Sequence, residues 1–110
     1  MKNLAITFFL FVTSLVYAKP THDETATFKV SGNCEMCKKR IETALKKPGI
    51  KSANWNMDTK IITVVYDIHS IGIDDIHKSI AAAGYDTEKE KASDKAYNKL
   101  PECCQYERAK

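Results

Sequence analysis

The chain has 110 residues, which is enough for one small domain. Its 17 Lys and Arg residues exceed its 14 Asp and Glu residues, for a formal net charge of +3 at pH 7. This excess of positive charge is too small to indicate a nucleic-acid-binding protein.

Residues 1–18 have the pattern of a secretory signal peptide. Lys2 precedes an apolar stretch from Leu4 to Val16, and cleavage is predicted after Ala18. A membrane-spanning helix needs about 20 apolar residues, so we expect no membrane span in the mature protein. Cleavage would leave 16 Lys and Arg against 14 Asp and Glu, a net charge of +2. We therefore predict an exported protein, periplasmic or secreted, whose cysteines enter an oxidising compartment.

Residues 19–24 predict a flexible arm, and the hydrophobic pattern of residues 25–90 predicts six elements of secondary structure. Apolar residues alternate in the strands and recur every three or four residues in the helices. The predicted order is a strand over 25–30, a helix with Cys37 in its first turn that ends before Pro48, a hairpin over 51–57 and 61–67, a helix over 73–83 capped by Gly84, and an edge strand over 85–90. This order predicts an α+β, ferredoxin-like βαββαβ sandwich, with a four-stranded antiparallel sheet and two helices on one face.

Residues 91–110 predict a C-terminal tail with a short helix, for which Ser93 is a suitable N-cap. The tail also carries a second cysteine pair, Cys103 and Cys104. Two interpretations of this pair are open. The tail is loose and its thiols are exposed or bonded to another chain, or the tail folds back and brings one or both sulfurs to the first cysteine pair.

The first cysteine pair, Cys34 and Cys37, lies where the first strand gives way to the first helix. The amides and the dipole at a helix N-terminus favour thiolate over thiol, and Lys38 would offset the thiolate charge. Two soft thiolates at this spacing fit Cu(I) best and also fit Hg(II), whereas a structural Zn(II) site needs four ligands. Met36, between the cysteines, is a further candidate ligand through its thioether.

Other interpretations of the cysteines also remain open. The Cys-x-x-Cys spacing occurs in thiol-disulfide oxidoreductases, although Cys-Glu-Met-Cys lacks the Gly-Pro interior common in thioredoxins. Both pairs could form structural disulfides after export, but a bond between the neighbours Cys103 and Cys104 would be strained. Because the sequence has no recognisable arrangement of catalytic side chains, we predict that the protein is not an enzyme.

Residues 26–90 carry motifs that resemble the heavy-metal-associated domain. These motifs are Gly32, Cys34, Cys37, Arg40-Ile41-Glu42, Ala44-Leu45, Pro48-Gly49-Ile50, Val64, Tyr66-Asp67 and Ala83-Gly84-Tyr85. The family includes copper chaperones, metal-binding modules of copper-transporting ATPases and a secreted mercury-binding protein. The resemblance implies that Cys34 and Cys37 are the metal ligands and that Tyr85 packs near them. The sequence departs from the family in one respect. The family usually carries Gly-Met-x-Cys with the Met buried beneath the metal loop, whereas this chain has Gly32-Asn33-Cys34, which is one residue shorter and lacks that Met.

Taken together, the sequence predicts an exported protein that carries or buffers a heavy-metal ion, most simply Cu(I), with Hg(II) or Zn(II) as alternatives. Cys34 and Cys37 are the predicted ligands, and the additional candidates are Cys103, Cys104 and Met36. A mercury-binding protein and a small thiol-disulfide oxidoreductase are the alternative functions. The basic residues of 38–40 and 46–47 suggest an acidic protein partner, such as a metal-transporting ATPase or another metal-receiving protein, and not a nucleic acid.

Overall fold

The structure, a computed structural model, describes residues 22–108. The predicted signal peptide and residues 19–21 of the predicted arm lie outside the described residues. The elements in chain order are β1 (Asp23–Lys29), α1 (Glu35–Ala44), β2 (Ile50–Trp55), β3 (Ile61–Asp67), α2 (Ile73–Ala82), α3 (Asp94–Asn98) and a 3-10 turn (Glu102–Cys104). No helix within residues 22–108 combines the length and the apolar character needed to cross a bilayer.

The described strands form an antiparallel sheet in the order β1-β3-β2. Alternation along the strands separates the two faces of the sheet, so that Phe28, Ile62 and Val64 are buried while Thr27 and Thr63 are exposed. The predicted hairpin is confirmed. β1 begins at Asp23, two residues earlier than predicted, because pairing with β3 continues to the end of that strand. The last two residues assigned to the arm therefore belong to β1.

The predicted fourth strand over residues 85–90 is wrong, and within residues 22–108 the sheet has three strands. Only one isolated bridge, between Val30 and Thr87, marks where that strand would lie. The Thr87 hydroxyl accepts hydrogen bonds from the amides of Lys89 (3.2 Å) and Glu90 (3.0 Å), which turn the chain back on itself. These side-chain bonds compete with the sheet ladder, as Thr side chains commonly do in turns.

Helices α1 and α2 cover one face of the sheet and close the core. Cys37 and Ile41 of α1 and Ile76 and Ile80 of α2 are completely buried. α2 ends at Ala82, and Gly84 follows with φ +106°, a conformation that favours glycine. This reversal of the chain after α2 leads directly into the fully buried Tyr85.

His77 of α2 is a buried polar residue, only 2% exposed. Its ring stacks on Phe28 with the ring centroids 4.0 Å apart, and Nδ1 lies 2.5 Å from the Thr87 hydroxyl. A polar partner inside the core therefore allows an imidazole where the helical stripe would otherwise place an apolar side chain.

The tail packs against the domain. Ser93 caps α3 as predicted, since its hydroxyl accepts a hydrogen bond from the Ala96 amide (3.1 Å). Leu100 is buried and packs on Gly84, where an added Cβ would lie 2.9 Å from Leu100 Cδ2. The 3-10 turn that follows contacts α1, which places the second cysteine pair beside the first.

Candidate metal centre

Cys34 and Cys37 lie at the start of α1, as the sequence predicted. Cys34 is the N-cap residue with an extended backbone, and Cys37 lies in the first turn. Their sulfurs are 3.4 Å apart, with Cys34 partly exposed and Cys37 fully buried. All four cysteines are free thiols in the structure.

The loop before α1 is held from beneath by Trp55 of β2. The indole Nε1 donates a hydrogen bond to the Val30 carbonyl (3.1 Å), and the ring packs closely on Gly32, where an added Cβ would lie 2.9 Å from Cζ2. Asn33 closes the loop, because its amide and its Oδ1 lie 3.5 and 3.1 Å from Cys37 Sγ. Trp55 thus fills the space beneath a loop that lacks the family's usual Met.

Cys104 joins the first pair, and the tail folds back as one of the two interpretations expected. Its Sγ is 3.8 Å from Cys34 Sγ, and the side chain is fully buried. The sulfurs of Cys34, Cys37 and Cys104 all lie within 4.8 Å of one another. We call these three residues the sulfur cluster.

Cys103 lies at the outer edge of the sulfur cluster and is not one of its three members. Its side chain is exposed, and its thiol donates to the Met36 thioether at 3.7 Å. Met36 itself is 47% exposed. The Cys103 Sγ lies 4.0 Å from Cys104 Sγ, and the Cys103 carbonyl accepts a hydrogen bond from the Cys34 thiol (3.3 Å), so the residue borders the cluster without joining the three sulfurs that converge.

The thiols of Cys34 and Cys104 differ in acidity. Burial acts to raise the pKa of Cys34, but hydrogen bonds from the backbone of Cys37 and from neighbouring groups outweigh it, and the pKa is lowered. Burial raises the pKa of Cys104 to about 12, with the nearby sulfurs of Cys37 and Cys34 adding to the effect. In the absence of an ion, Cys34 is the more acidic of these two thiols, as expected at a helix N-terminus.

Tyr85 lies against the cluster, as the resemblance implied. Its side chain is fully buried, and its hydroxyl has no hydrogen-bond partner within residues 22–108. Burial raises the pKa of Tyr85 above its ordinary range, and the nearby sulfurs of Cys104 and Cys37 contribute. The group therefore stays a neutral hydroxyl.

Lys38 does not take the position expected for it beside the thiolates. Its ammonium donates to Glu42 (2.6 Å), to the Trp55 carbonyl (2.9 Å) and to Asn54 (3.2 Å). Glu42 also accepts from the Trp55 amide at 2.9 Å. This network joins α1 to the end of β2, so Lys38 stabilises the base of the loop while Lys39 and Arg40 are exposed.

Sequence reasoning missed two contributors to the site. Asn33 was not considered, although an Asn immediately before an N-cap cysteine is placed to bond the first turn. Tyr106 was also missed; its hydroxyl donates to the Gly84 carbonyl (2.8 Å) and fixes the tail beside Tyr85. The apolar pattern Tyr97, Leu100 and Tyr106 was the available signal for a tail that packs down.

The cluster offers soft sulfur donors and no oxygen or imidazole ligand among the described residues. Such a set suits a soft ion of low coordination number, whereas a structural zinc site uses four ligands. The partial exposure of Cys34 leaves one side of the cluster open to solvent or to a partner.

Comparisons with known proteins support a metal-binding domain. The sequence profile of the heavy-metal-associated domain matches residues 27–86, more than half of the chain. A copper-exporting P-type ATPase of Bacillus subtilis (strain 168) is 41% identical over 66 residues, which are 58% of this chain and 8% of the ATPase. The copper chaperone CopZ of Staphylococcus epidermidis is 35% identical over 60 residues, which are 53% of this chain and 88% of the chaperone.

Solved structures of metal-binding proteins also resemble this chain. A CopZ metallochaperone superposes with a TM-score of 0.56 at 29% identity, covering 58% of this chain and 98% of the chaperone. Oxidized MerP from Ralstonia metallidurans superposes with a TM-score of 0.57 at 25% identity, covering 60% of this chain and 94% of MerP. The matches to the copper-exporting ATPases span less than a tenth of those proteins, 8% and 9% of their length. The predicted resemblance is confirmed, and the chain belongs to the heavy-metal-associated domain family.

Proposed function

We propose that this protein binds Cu(I) and carries or buffers it through the thiolates of Cys34 and Cys37. The observation that carries the proposal is the 3.4 Å contact between these sulfurs at the start of α1, with Cys34 partly exposed. The names of the relatives support the choice of ion, since they include a copper chaperone and copper-exporting ATPases.

The donor set supports Cu(I) on chemical grounds as well. Cu(I) is a soft ion that accepts two or three thiolates, and Cys34 and Cys37 supply two without rearrangement of the fold. Hg(II) has similar preferences and is the nearest competitor. Zn(II) ranks below both ions, because four protein ligands do not converge within residues 22–108.

Transfer of the ion would proceed by ligand exchange. A thiolate of the partner enters at the exposed side of Cys34, and the bonds to this protein's sulfurs then break one at a time. The exposed Lys39 and Arg40, beside Met36 on α1, favour a partner with an acidic surface, such as a metal-transporting ATPase. In this account the protein is a binding protein and not an enzyme.

Export is part of the proposal and depends on residues 1–18 alone. In an oxidising compartment only the reduced fraction of Cys34 and Cys37 would bind the ion, because thiolates are the ligands. Fractionation of cells that produce the full chain, followed by mass measurement of the mature protein, tests both export and cleavage after Ala18.

An anaerobic titration tests the binding function. The reduced protein competes for Cu(I) with a chromophoric chelator, alongside the double variant Cys34→Ser/Cys37→Ser and the matched control Cys103→Ser. We expect the protein and the control to withdraw one equivalent of Cu(I) and the double variant to withdraw none. Failure of the unaltered protein to compete would contradict the proposal, and rapid disulfide exchange in a parallel assay would favour the oxidoreductase.

A further inference from the structure

We propose that Cys104 is a third thiolate ligand and that the C-terminal tail holds it in place, so that the protein retains Cu(I) in a three-coordinate site. This inference rests on the proposed function, because it extends the site formed by Cys34 and Cys37. It assigns different roles to two adjacent cysteines, with Cys104 in the site and Cys103 outside it.

The spacing of the sulfurs fits three ligands better than two. With a metal–thiolate bond of about 2.3 Å, a trigonal ion separates its sulfurs by about 4.0 Å and a linear ion by about 4.6 Å. The Cys34–Cys37 and Cys34–Cys104 sulfur distances are 3.4 and 3.8 Å. A trigonal ion therefore requires a smaller change in the sulfur positions than a linear ion does. The Cys104 sulfur is already close to the trigonal sulfur–sulfur distance from Cys34.

The 3-10 turn selects Cys104 rather than Cys103. The Cys104 amide donates to the Pro101 carbonyl (2.7 Å), which closes the turn and directs the Cys104 side chain inward. The exposed Cys103 thiol lies between the Met36 thioether (3.7 Å) and Cys104 Sγ (4.0 Å). Adjacent residues in such a turn face different directions, so the Cys104 sulfur converges with those of Cys34 and Cys37 while Cys103 stays outside that set of three.

The tail is anchored on both sides of Cys104. On the N-terminal side, Leu100 is buried against Gly84. On the C-terminal side, the Tyr106 hydroxyl donates to the Gly84 carbonyl (2.8 Å) and accepts from the Asp86 amide (2.9 Å). Arg108 adds two bonds to the Asp86 carboxylate (2.9 and 3.1 Å). A segment fixed at both ends presents its central sulfur at little further cost in conformational entropy.

The Tyr85 hydroxyl is a second observation in favour of a metal-bound thiolate at this site. It is fully buried and has no hydrogen-bond partner within residues 22–108, yet it lies near Cys104 and Cys37. Buried hydroxyls are normally paired. A metal-bound thiolate accepts a hydrogen bond more strongly than a thiol does, so metal binding would satisfy this group.

Three ligands change what the protein does with its ion. A partner must displace three thiolates, one of them on an anchored tail, before the ion is free. The protein therefore retains Cu(I) and releases it slowly, and release requires that the tail detach from Tyr85 and Asp86.

The test uses the full protein, reduced and anaerobic, with Cu(I) as the probe and Cys103→Ser as the matched control for Cys104→Ser. We expect Cys104→Ser to weaken binding at least tenfold, a loss of about the size that changes around a metal site produce. X-ray absorption should show three sulfur ligands in the protein and in Cys103→Ser, and two in Cys104→Ser. Equal affinities and two sulfur ligands in all three proteins would overturn the inference.

A second variant keeps all four cysteines and addresses the tail alone. Arg108→Gln removes the bonds to Asp86, and we expect chelator-driven release of Cu(I) to become several-fold faster, while thermal unfolding shows that the domain remains folded. An unchanged release rate would contradict the anchoring role. If Cys34→Ser/Cys37→Ser loses Cu(I) binding while Cys104→Ser binds as tightly as the unaltered protein, Cys104 is not a ligand but the proposed function stands. If the double variant still binds Cu(I), both the third ligand and the proposed function are rejected.

Discussion

The Tyr85 hydroxyl is unpaired within residues 22–108, so its replacement separates the stability of the fold from the affinity of the site. In Tyr85→Phe we expect the metal-free protein to be as stable as before or up to about 1 kcal/mol more stable, because a buried unpaired hydroxyl is unfavourable. Affinity for Cu(I) should fall by about tenfold, since a hydrogen bond to a charged group is lost.

Urea unfolding and chelator competition measure the two effects of Tyr85→Phe. The control is Tyr66→Phe, a buried tyrosine near the opposite end of the sheet, for which affinity should not change. If Tyr85→Phe binds Cu(I) as tightly as the unaltered protein, the hydroxyl does not bond a metal-bound sulfur.

His77 makes the stability of the fold depend on pH. Burial, and to a smaller extent the charge of Lys89, lowers the pKa of His77. These effects outweigh the acidic groups that face the ring and act to raise the pKa, which are Asp74, Glu88 and Glu90. An unfolded His takes up a proton near pH 6.5, and below that pH the unfolded state binds more protons than the folded state. We therefore expect the free energy of unfolding to fall as the pH drops from 6.5 to the lower pKa of the folded protein.

Urea unfolding of the reduced, metal-free protein between pH 7.5 and 5 measures this dependence. The decline should be smaller in His77→Gln and unchanged in His69→Gln, which alters an exposed histidine. A decline of the same size in His77→Gln would assign the pH dependence to other groups.

Among the site residues, the sequence was sufficient to predict the position of those that depend only on local secondary structure. Cys34 and Cys37 follow from the end of β1 and the start of α1, which periodicity predicts. The choice between Cys103 and Cys104 depends on the phase of one 3-10 turn, which the sequence does not determine. The position of Lys38 depends on Glu42 and the end of β2, and local charge patterns did not reveal that network.

At the scale of elements, three strands and three helices were predictable because their hydrophobic periods are local properties of the chain. The segment 85–90 was not, because residues far along the chain determine its course. Tyr106 and Arg108 bond the Asp86 amide and carboxylate, and the Asp86 carboxylate also accepts from the Ala92 amide (2.8 Å). The Asp86 amide, which a fourth strand could have offered to the sheet, is thus bonded to Tyr106, and the carboxylate bonds hold the segment to the tail.

The junction between α2 and the tail gives a test of how the elements pack. In Gly84→Ala the new Cβ would meet Leu100 Cδ2 at 2.9 Å and the Ala96 carbonyl at 3.0 Å, at a φ of +106°. We expect the free energy of unfolding to fall by about 2 kcal/mol, because the strained backbone and the displaced α3 both contribute.

Gly72→Ala is the control for Gly84→Ala, since Gly72 has φ −94° and its nearest neighbour, Asp75 Oδ2, would lie 3.4 Å away. As an N-cap change it should cost less than about 1 kcal/mol in urea unfolding. Equal losses in the two variants would mean that α3 does not pack on Gly84 as the structure shows.

For the whole molecule, the tail distinguishes this chain from the domain that the comparisons match. The family profile ends at residue 86, and the third sulfur comes from residue 104. A domain that ends near residue 86 would present two thiolates beside an uncovered Tyr85, which suits rapid transfer. The added segment covers this tyrosine and supplies the third sulfur, which favours retention of the ion.

The decisive experiment is X-ray absorption at the copper edge of the reduced protein, loaded anaerobically with one equivalent of Cu(I) and then desalted. We expect copper to remain bound, with three sulfur atoms and no nitrogen or oxygen in its first shell. Loss of the copper on desalting, or a first shell of nitrogen and oxygen atoms, would contradict the claim that the cysteines of this protein form a Cu(I) site.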